Sequence, residues 1–264
     1  MDSRNNAKSS ALMNILLSND DGFLAPGINQ LRDALLNIAN VITVAPDQDS
    51  SGVSNALTLR NPLRMTQRGD NFYSINGTPT DCVHMGLGLY AHDPDMVISG
   101  INAGENMGDD VLYSGTIAAA MEGRFLGYPA IAVSLAPLTR HQPVSHYATA
   151  VEVILKLMPF IKSYPVNSKM ILNINVPDVA WQDIQGMQVT RLGKRHRSEP
   201  VTRSIDPRGK EIFWIGPAGD AADAGADTDF YAVQQGYVSV TPIHTDLTYY
   251  QALNETERWL QHVR

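Results

Sequence analysis

The chain has 264 residues, 44% of them hydrophobic and 18% charged, a composition that excludes intrinsic disorder and indicates an ordinary folded chain. This length accommodates one large α/β domain, or a domain with a sizeable appendage. The formal net charge of −7 at pH 7 argues against binding to nucleic acid polymers, which need a basic surface, and no apolar run approaches the roughly 18–20 residues of a membrane span.

The first segment, Met1–Leu12, is polar and lacks the apolar stretch of a signal peptide, so we interpret it as an extension outside the fold. Cys82 is the only cysteine, which precludes an intrachain disulfide and indicates a reducing compartment. These features predict a cytoplasmic protein.

Strands and helices are predicted to alternate as far as Val176. Asn14–Ser18 is predicted to be a buried strand that ends in a polar loop, and Pro26 opens a helix with Ile28, Leu31, Leu35 and Ile38 at helical spacing. Further strands are predicted at Val41–Ala45, Met96–Ser99, Ala130–Ser134 and Met170–Val176, and helices at Asp81–Tyr90, Thr116–Leu126 and Val144–Ile161. This alternation predicts an α/β fold with a doubly wound, mostly parallel, Rossmann-like sheet, in which ligands bind at the carboxyl ends of the strands.

The pattern changes after Pro177. Strands are predicted at Met187–Leu192, Glu211–Ile215 and Tyr237–Ile243 without intervening helices, and a C-terminal helix at Tyr249–Val263. We therefore divide the chain into the extension (residues 1–12), a Rossmann-like core (residues 13–184), and residues 185–264, which hold a β-rich oligomerisation arm (Gln185–Asp229), a returning strand and the C-terminal helix. The apolar arm strands need partners, which predicts a homodimer or homotetramer; the alternative is a monomer whose arm folds back on its own sheet.

Asp20 and Asp21 directly follow the first predicted strand. Two carboxylates about 4 Å apart repel by roughly 4 kcal/mol at an effective dielectric of 20, and a divalent cation removes that cost. A simple polar turn is the alternative, and this motif alone does not decide between them.

Several other chemistries are excluded by pattern. No phosphate-loop motif and no G-x-G-x-x-G follow the first strand, and haloacid-dehalogenase phosphatases separate their two aspartates by one residue. The seven histidines form no zinc motif, and the acidic stretch Asp220–Asp229 lacks the spacing of a calcium loop.

The glycine-rich loop Gly100–Gly115 offers backbone N–H groups for an anion, and Ser114, Gly115 and Thr116 begin the helix that follows. The alternative is that Ser114 or Thr116 only caps the helix. The loop Asp47–Asn55 would complete a metal or phosphate site, although an ordinary polar loop is the simpler interpretation.

Taken together, these stretches resemble the SurE family of survival proteins. The motifs are ILLSNDDGFLAPGI (Ile15–Ile28), APDQDSSGVSNALT (Ala45–Thr58), NGTPTDCV (Asn76–Val83), VISGINAGENMGDDVLYSGTIAAAMEG (Val97–Gly123) and TDFYAVQQGYVSVTPI (Thr228–Ile243). The resemblance runs from about Met13 to the C-terminus, and the combination is far more specific than any single motif.

The resemblance implies a metal-dependent phosphatase that acts on nucleoside 5′- and 3′-monophosphates and in some relatives on polyphosphate. It implies one divalent cation per subunit, Mg²⁺ or Mn²⁺ with Co²⁺ also compatible, held by Asp20, Asp21, Ser51 and Asn102. Asp20, Asp21 and Asn102 are the expected catalytic residues, and the expected phosphate or substrate ligands are Asn19, Ser51, Gly104, Asn106, Ser114, Gly115 and Thr116. Ser50 stands where relatives often have a basic residue. The resemblance also implies that arms and C-terminal elements are swapped between subunits.

The expected reaction is metal-assisted hydrolysis, with water favoured over a carboxylate as nucleophile because both aspartates are wanted as ligands. A non-catalytic protein that binds a phosphorylated metabolite is the alternative, and a Rossmann-type oxidoreductase is disfavoured by the missing glycine motif. The basic cluster Arg191, Lys194, Arg195, His196 and Arg197 is interpreted as a solvated arm or subunit contact rather than a phosphate contact, although both remain open.

Overall fold

The computed structural model of the chain describes residues 12–91, 93–139, 142–161 and 170–263, and residues 1–11 of the predicted extension lie outside these ranges. The strands are β1 (Met13–Ser18), β2 (Ala39–Pro46), β3 (Met65–Gly69), β4 (Phe72–Ile75), β5 (Met96–Ala103), β6 (Ala130–Ala136), β7 (Ile171–Pro177), β8 (Gly186–Val189), β9 (Lys194–Arg195), β10 (Thr202–Ile205), β11 (Glu211–Trp214), β12 (Ala221–Asp223) and β13 (Tyr237–Ile243). The helices are α1 (Pro26–Leu35), α2 (Pro79–Leu89), α3 (Gly115–Phe125), α4 (Tyr147–Ile161), α5 (Asp229–Gln234) and α6 (Leu253–Gln261). Short 3₁₀ helices lie at Gly108–Leu112, Trp181–Asp183 and Tyr250–Ala252.

A nine-stranded sheet forms the centre, in the order β3-β4-β2-β1-β5-β6-β7-β13-β8. The strands from β4 to β7 run parallel to one another, and β13 returns antiparallel to β7. Side chains alternate between faces, so Ile15 and Leu17 pack with α1 and α4 while Leu16 packs with α2 and α3. The doubly wound, mostly parallel sheet predicted from the sequence is confirmed.

Several predicted details were wrong. α5 lies between the last strands, where no helix was expected, and α1 ends at Leu35 because the chain turns directly into β2. β5 continues to Ala103, so its last four residues lie in the predicted glycine-rich loop and it ends one residue beyond Asn102. The hairpin β3–β4 was not predicted, since β3 is a largely exposed edge strand with no apolar alternation.

The C-terminal part is more exposed than the core. β10 and β11 form a two-stranded hairpin on which Phe213 and Trp214 are exposed, and no residue of α6 is buried by the part of the chain that the structure describes. β8 adds to the edge of the central sheet, and the division into core and arm stays a prediction. None of the described helices is both long and apolar enough to span a membrane.

Candidate functional site

The candidate site lies at the carboxyl edge of the central sheet, where β1 and β5 end side by side. Ser18 pairs with Ser99 at the end of the β1–β5 register, which brings Asn19–Gly22 next to the chain that follows Ser99. The loop after β2 joins them, because the Ser50 N–H donates to the Asp20 carbonyl at 2.8 Å. Three segments far apart in sequence thus meet at one edge.

Asp20 is buried and is held by the first turn of α3. Its Oδ1 accepts from the Thr116 hydroxyl at 2.5 Å, and its Oδ2 accepts from the Thr116 backbone N–H at 3.0 Å. Ser114 caps the same helix by accepting from the Ile117 N–H at 3.1 Å. Burial raises the pKa of Asp20 above its ordinary value, although the hydrogen bonds from Thr116 oppose the shift.

Gly115 explains how α3 comes so close to Asp20. A Cβ at this position would stand 2.7 Å from the Asp20 Cβ and 2.9 Å from its Oδ2. Only a residue without a side chain therefore fits here, and the glycine of the Ser-Gly-Thr sequence has a packing role next to the carboxylate.

Asp21 is half-buried beside Asp20, and its Oδ2 accepts from the Ala103 N–H at 2.9 Å. Burial, followed by the charge of Asp20, raises the pKa of Asp21 from its ordinary value of 3.8 to about 7. The two adjacent carboxyl groups therefore lie where the charged form of each is disfavoured. A bound cation would remove that cost for both.

The donor set around this pair suits a hard divalent cation. Asn19 is fully buried; its Nδ2 donates to the Gly22 carbonyl at 2.9 Å, and its Oδ1 has no hydrogen-bond partner among the described residues. Asn102 lies one residue before Ala103, and its Nδ2 donates to the Gly104 carbonyl at 2.9 Å. No group of three or more His, Cys, Asp or Glu within the described ranges is placed to hold a metal ion, so a cation here would need neutral oxygens besides the two carboxylates.

Ser51 lies in the loop that contacts Asp20, and its hydroxyl is hydrogen-bonded within that loop. The Ser51 hydroxyl and backbone N–H both donate to Asp49 Oδ1, at 2.6 and 2.8 Å. Asp49 also contributes to the raised pKa of Asp20 and Asp21, so a third carboxylate lies near the pair. The sequence indicated this loop, but no spacing in it singled out Asp49.

Asn106 in the glycine-rich loop is fastened to the neighbouring strands. Its backbone N–H donates to Asn175 Oδ1 at 2.8 Å, and its Nδ2 donates to Ser134 Oγ at 2.8 Å. Its carbonyl accepts from Asn173 and Asn175, at 2.8 and 3.0 Å. These donors of Asn106 are thus engaged with β6 and β7, and its predicted contact with phosphate stays a prediction. The alternating asparagines of β7 were the available signal for this network.

Two arginines of the basic cluster are already paired with carboxylates. Arg191 contacts Asp223 and Asp227, at 2.6 and 2.7 Å, on the exposed surface of the arm. The side chain of Arg195 is only 6% exposed and contacts Asp110 and Glu105, at 2.5 and 3.2 Å. Arg195 therefore supports the glycine-rich loop, and the interpretation of the cluster as solvated is wrong for this residue.

Known proteins are similar to this chain in both sequence and fold. A family model described as survival protein SurE matches residues 15–199. The chain is 57% identical to the 5′-nucleotidase SurE of Alkalilimnicola ehrlichii, over 94% of this chain and 96% of that protein. It is 56% identical to the 5′-nucleotidase SurE of Nitrosococcus oceani, over 95% and 99% of the two chains. The crystal structure of the SurE protein from Aquifex aeolicus superposes with a TM-score of 0.80 at 42% identity, over 93% of this chain and 99% of that one.

Proposed function

Because the chain belongs to the SurE family, we propose that it is a nucleotidase, a phosphomonoesterase that releases inorganic phosphate from nucleoside 5′- and 3′-monophosphates with one divalent cation. One observation carries the metal-dependent part of this proposal. Asp20 and Asp21, both with a raised pKa, lie together at the sheet edge beside a glycine-rich loop and the start of α3. A phosphate ester and a cation are the ligands that suit this combination.

We assign the residues their roles as follows. Asp20 and Asp21 would hold the cation with neutral oxygens from Asn102 and Ser51, whose hydroxyl keeps its lone pairs for a cation while it donates to Asp49. Bound there, the cation would supply polarisation of a phosphoryl oxygen. Thr116 donates to Asp20 through both its hydroxyl and its backbone N–H. Its first role is therefore to orient the Asp20 carboxylate.

The phosphate oxygens would be bound by backbone N–H groups of Gly104 and Gly115, by the Ser114 hydroxyl, and by the second N–H of the Asn19 and Asn106 amides. One N–H of each amide already donates, to the Gly22 carbonyl and Ser134 Oγ. Donors fixed in advance cost little reorganisation when charge develops on the phosphoryl group. Water is the favoured nucleophile, because both carboxylates are occupied as ligands in this arrangement.

A protein that binds a phosphorylated metabolite without turnover is the rival proposal. The two proposals are distinguished by measuring the inorganic phosphate that EDTA-treated full-length protein releases from a substrate after Mn²⁺, Mg²⁺ or Co²⁺ is added. The substrates are 5′-AMP, 3′-AMP, the other mononucleotides and a short polyphosphate. We expect release from the monophosphates only when a cation is added, whereas binding of AMP without release under all three cations would establish the rival.

We further propose that the protein works as a homodimer or homotetramer in the cytoplasm. Exposed Phe213, Trp214 and Ile215 on the hairpin, and Trp259 and Leu260 on α6, support an assembly, because large apolar side chains in such patches mark contacts between proteins. The single cysteine supports a reducing compartment.

A further inference from the structure

The loop from Gly104 to Asp110 is held from two sides. Asn106 fastens it to β6 and β7, as described above. The other side is fastened by residues of the C-terminal part of the chain, which lies about 85 to 121 positions further along. A glycine-rich loop has many conformations to lose, so contacts that select one of them affect what its N–H groups can bind.

Arg195 on β9 makes the first set of these contacts. Its Nε donates to Asp110 Oδ2 at 2.7 Å, its Nη2 donates to Glu105 Oε1 at 3.2 Å, and its backbone N–H donates to Asp109 Oδ2 at 2.8 Å. The guanidinium is nearly buried and is shared between two carboxylates of the loop, so its charge is compensated where it lies. Arg195 thus connects both ends of the Glu105–Asp110 stretch to the arm.

Asp229, the first residue of α5, makes the second set. Its carboxylate accepts from the Gly108 N–H at 2.7 Å and from the Gly193 and Phe230 N–H groups at 2.9 Å each, and the residue is fully buried. Gly108 has a φ of +53° and packs on the Phe230 ring, where a Cβ would stand 2.7 Å from Cε2. The Arg195 guanidinium lies 4.8 Å above the centre of the same ring.

We propose that Arg195 and Asp229 are positioning residues that hold the Gly104–Asp110 loop in the conformation that binds phosphate. This inference rests on the proposed function. Neither residue touches the Asp20–Asp21 pair in the described structure; each acts through the loop that it orders. A loop that is ordered beforehand presents its N–H groups at fixed directions, which raises both the affinity for a phosphate group and the rate of its transfer.

The test compares Arg195→Met, Arg195→Lys and Asp229→Asn with Arg191→Met in the full-length protein. Arg191 is the matched control, because its side chain also pairs with two carboxylates, but these belong to Asp223 and Asp227 of the arm and not to the loop. The measurements are kcat/KM for AMP with Mn²⁺, the affinity for inorganic phosphate by calorimetry, the affinity for Mn²⁺, and the Tm.

For Arg195→Met and Asp229→Asn we expect kcat/KM and phosphate affinity to fall about 10-fold or more, with Mn²⁺ affinity unchanged. Arg195→Lys should be intermediate, because an ammonium group pairs with one carboxylate rather than two. Arg191→Met should match the wild type. If Arg195→Met does not fold, Arg195→Lys and Asp229→Asn are judged by the same measurements.

A lower Tm with unchanged phosphate affinity and kcat/KM would overturn the inference, since the residues would then serve stability alone. Unchanged values throughout would overturn it as well. The phosphate titration separates this inference from the proposed function. A wild-type protein that binds phosphate without hydrolysing AMP, and loses that binding in Asp229→Asn, would refute the nucleotidase but support the positioning role.

Discussion

Thr116 binds Asp20 through both of its donors, the hydroxyl to Oδ1 at 2.5 Å and the backbone N–H to Oδ2 at 3.0 Å. These residues are 96 positions apart, and their contact fastens the start of α3 to the end of β1. Asp20 is therefore oriented by the fold itself, and its support can be removed without touching the carboxylate.

Thr116→Val should weaken cation binding. The substitution keeps the branched shape but removes the hydroxyl, so Oδ1 of the buried Asp20 loses its donor while Oδ2 keeps the backbone N–H. Loss of a hydrogen bond behind a metal ligand lowers metal affinity by about 10- to 100-fold. Calorimetric titration with Mn²⁺ measures the effect, and Thr116→Ser, which keeps the hydroxyl, is the control. Equal Mn²⁺ affinity in the Val variant and the wild type would contradict the assigned role.

Gly115→Ala should reduce turnover because the added Cβ would stand 2.7 Å from the Asp20 Cβ. Displacement of a positioned group by about 1 Å can lower the rate about 100-fold. Gly88 of α2 is the matched control, since a Cβ there meets no described heavy atom within 4 Å apart from its chain neighbours and the backbone of its own helix. Gly88→Ala should stabilise the helix by about 0.5–1 kcal/mol and leave kcat unchanged. Phosphate release and Tm are measured for both variants. Wild-type activity in Gly115→Ala would contradict the close contact between residue 115 and Asp20.

The stability of the metal-free protein should fall as the pH rises from about 4 to about 7. In this window the folded state keeps a proton on Asp21, whose pKa is raised to about 7, while the unfolded state has released it at its ordinary value of 3.8. Unfolding therefore releases a proton, the free energy of unfolding decreases with pH, and the decrease ends above the folded pKa.

Thermal unfolding in EDTA across this range tests that prediction against Asp21→Asn. The variant should show a flatter profile, because it removes the titrating group. Superimposable profiles of stability against pH for the two proteins would show that folding does not disfavour the charged form of Asp21. Saturating Mn²⁺ should stabilise the wild type most at the upper end of the range, since the cation competes with protons.

The assembly should depend on the C-terminal segment. Light scattering on the full-length protein and on a chain ending near Tyr249 measures the mass of each, and we expect the shortened chain to form smaller species. Loss of α6 removes Trp259 and Leu260, which are 63% and 51% exposed in the described subunit, and α6 has no buried residue. A full-length monomer at micromolar concentration with full activity would refute the proposed oligomer.

The sequence predicted those features that follow from local pattern. Asp20 and Asp21 were found because they end an apolar strand, and the carboxyl-edge location followed from strand–helix alternation. The contacts that support the pair were not predictable, since Thr116–Asp20 and Asp229–Gly108 join residues 96 and 121 positions apart and depend on the order of strands in the sheet. α5 was missed because six residues are too few for a helical period to stand out from the strand that follows.

The central claim is that a cation held by Asp20 and Asp21 drives phosphate release from nucleoside monophosphates. Asp21→Asn tests it most directly, because the substitution removes the charge while adding almost no volume. Asp33→Asn on the exposed side of α1, where the side chain is 77% exposed, is the control. With AMP and saturating Mn²⁺, we predict that Asp21→Asn loses about 100-fold or more in phosphate release while Asp33→Asn keeps the wild-type rate. Phosphate release by folded Asp21→Asn at the wild-type rate would contradict the account.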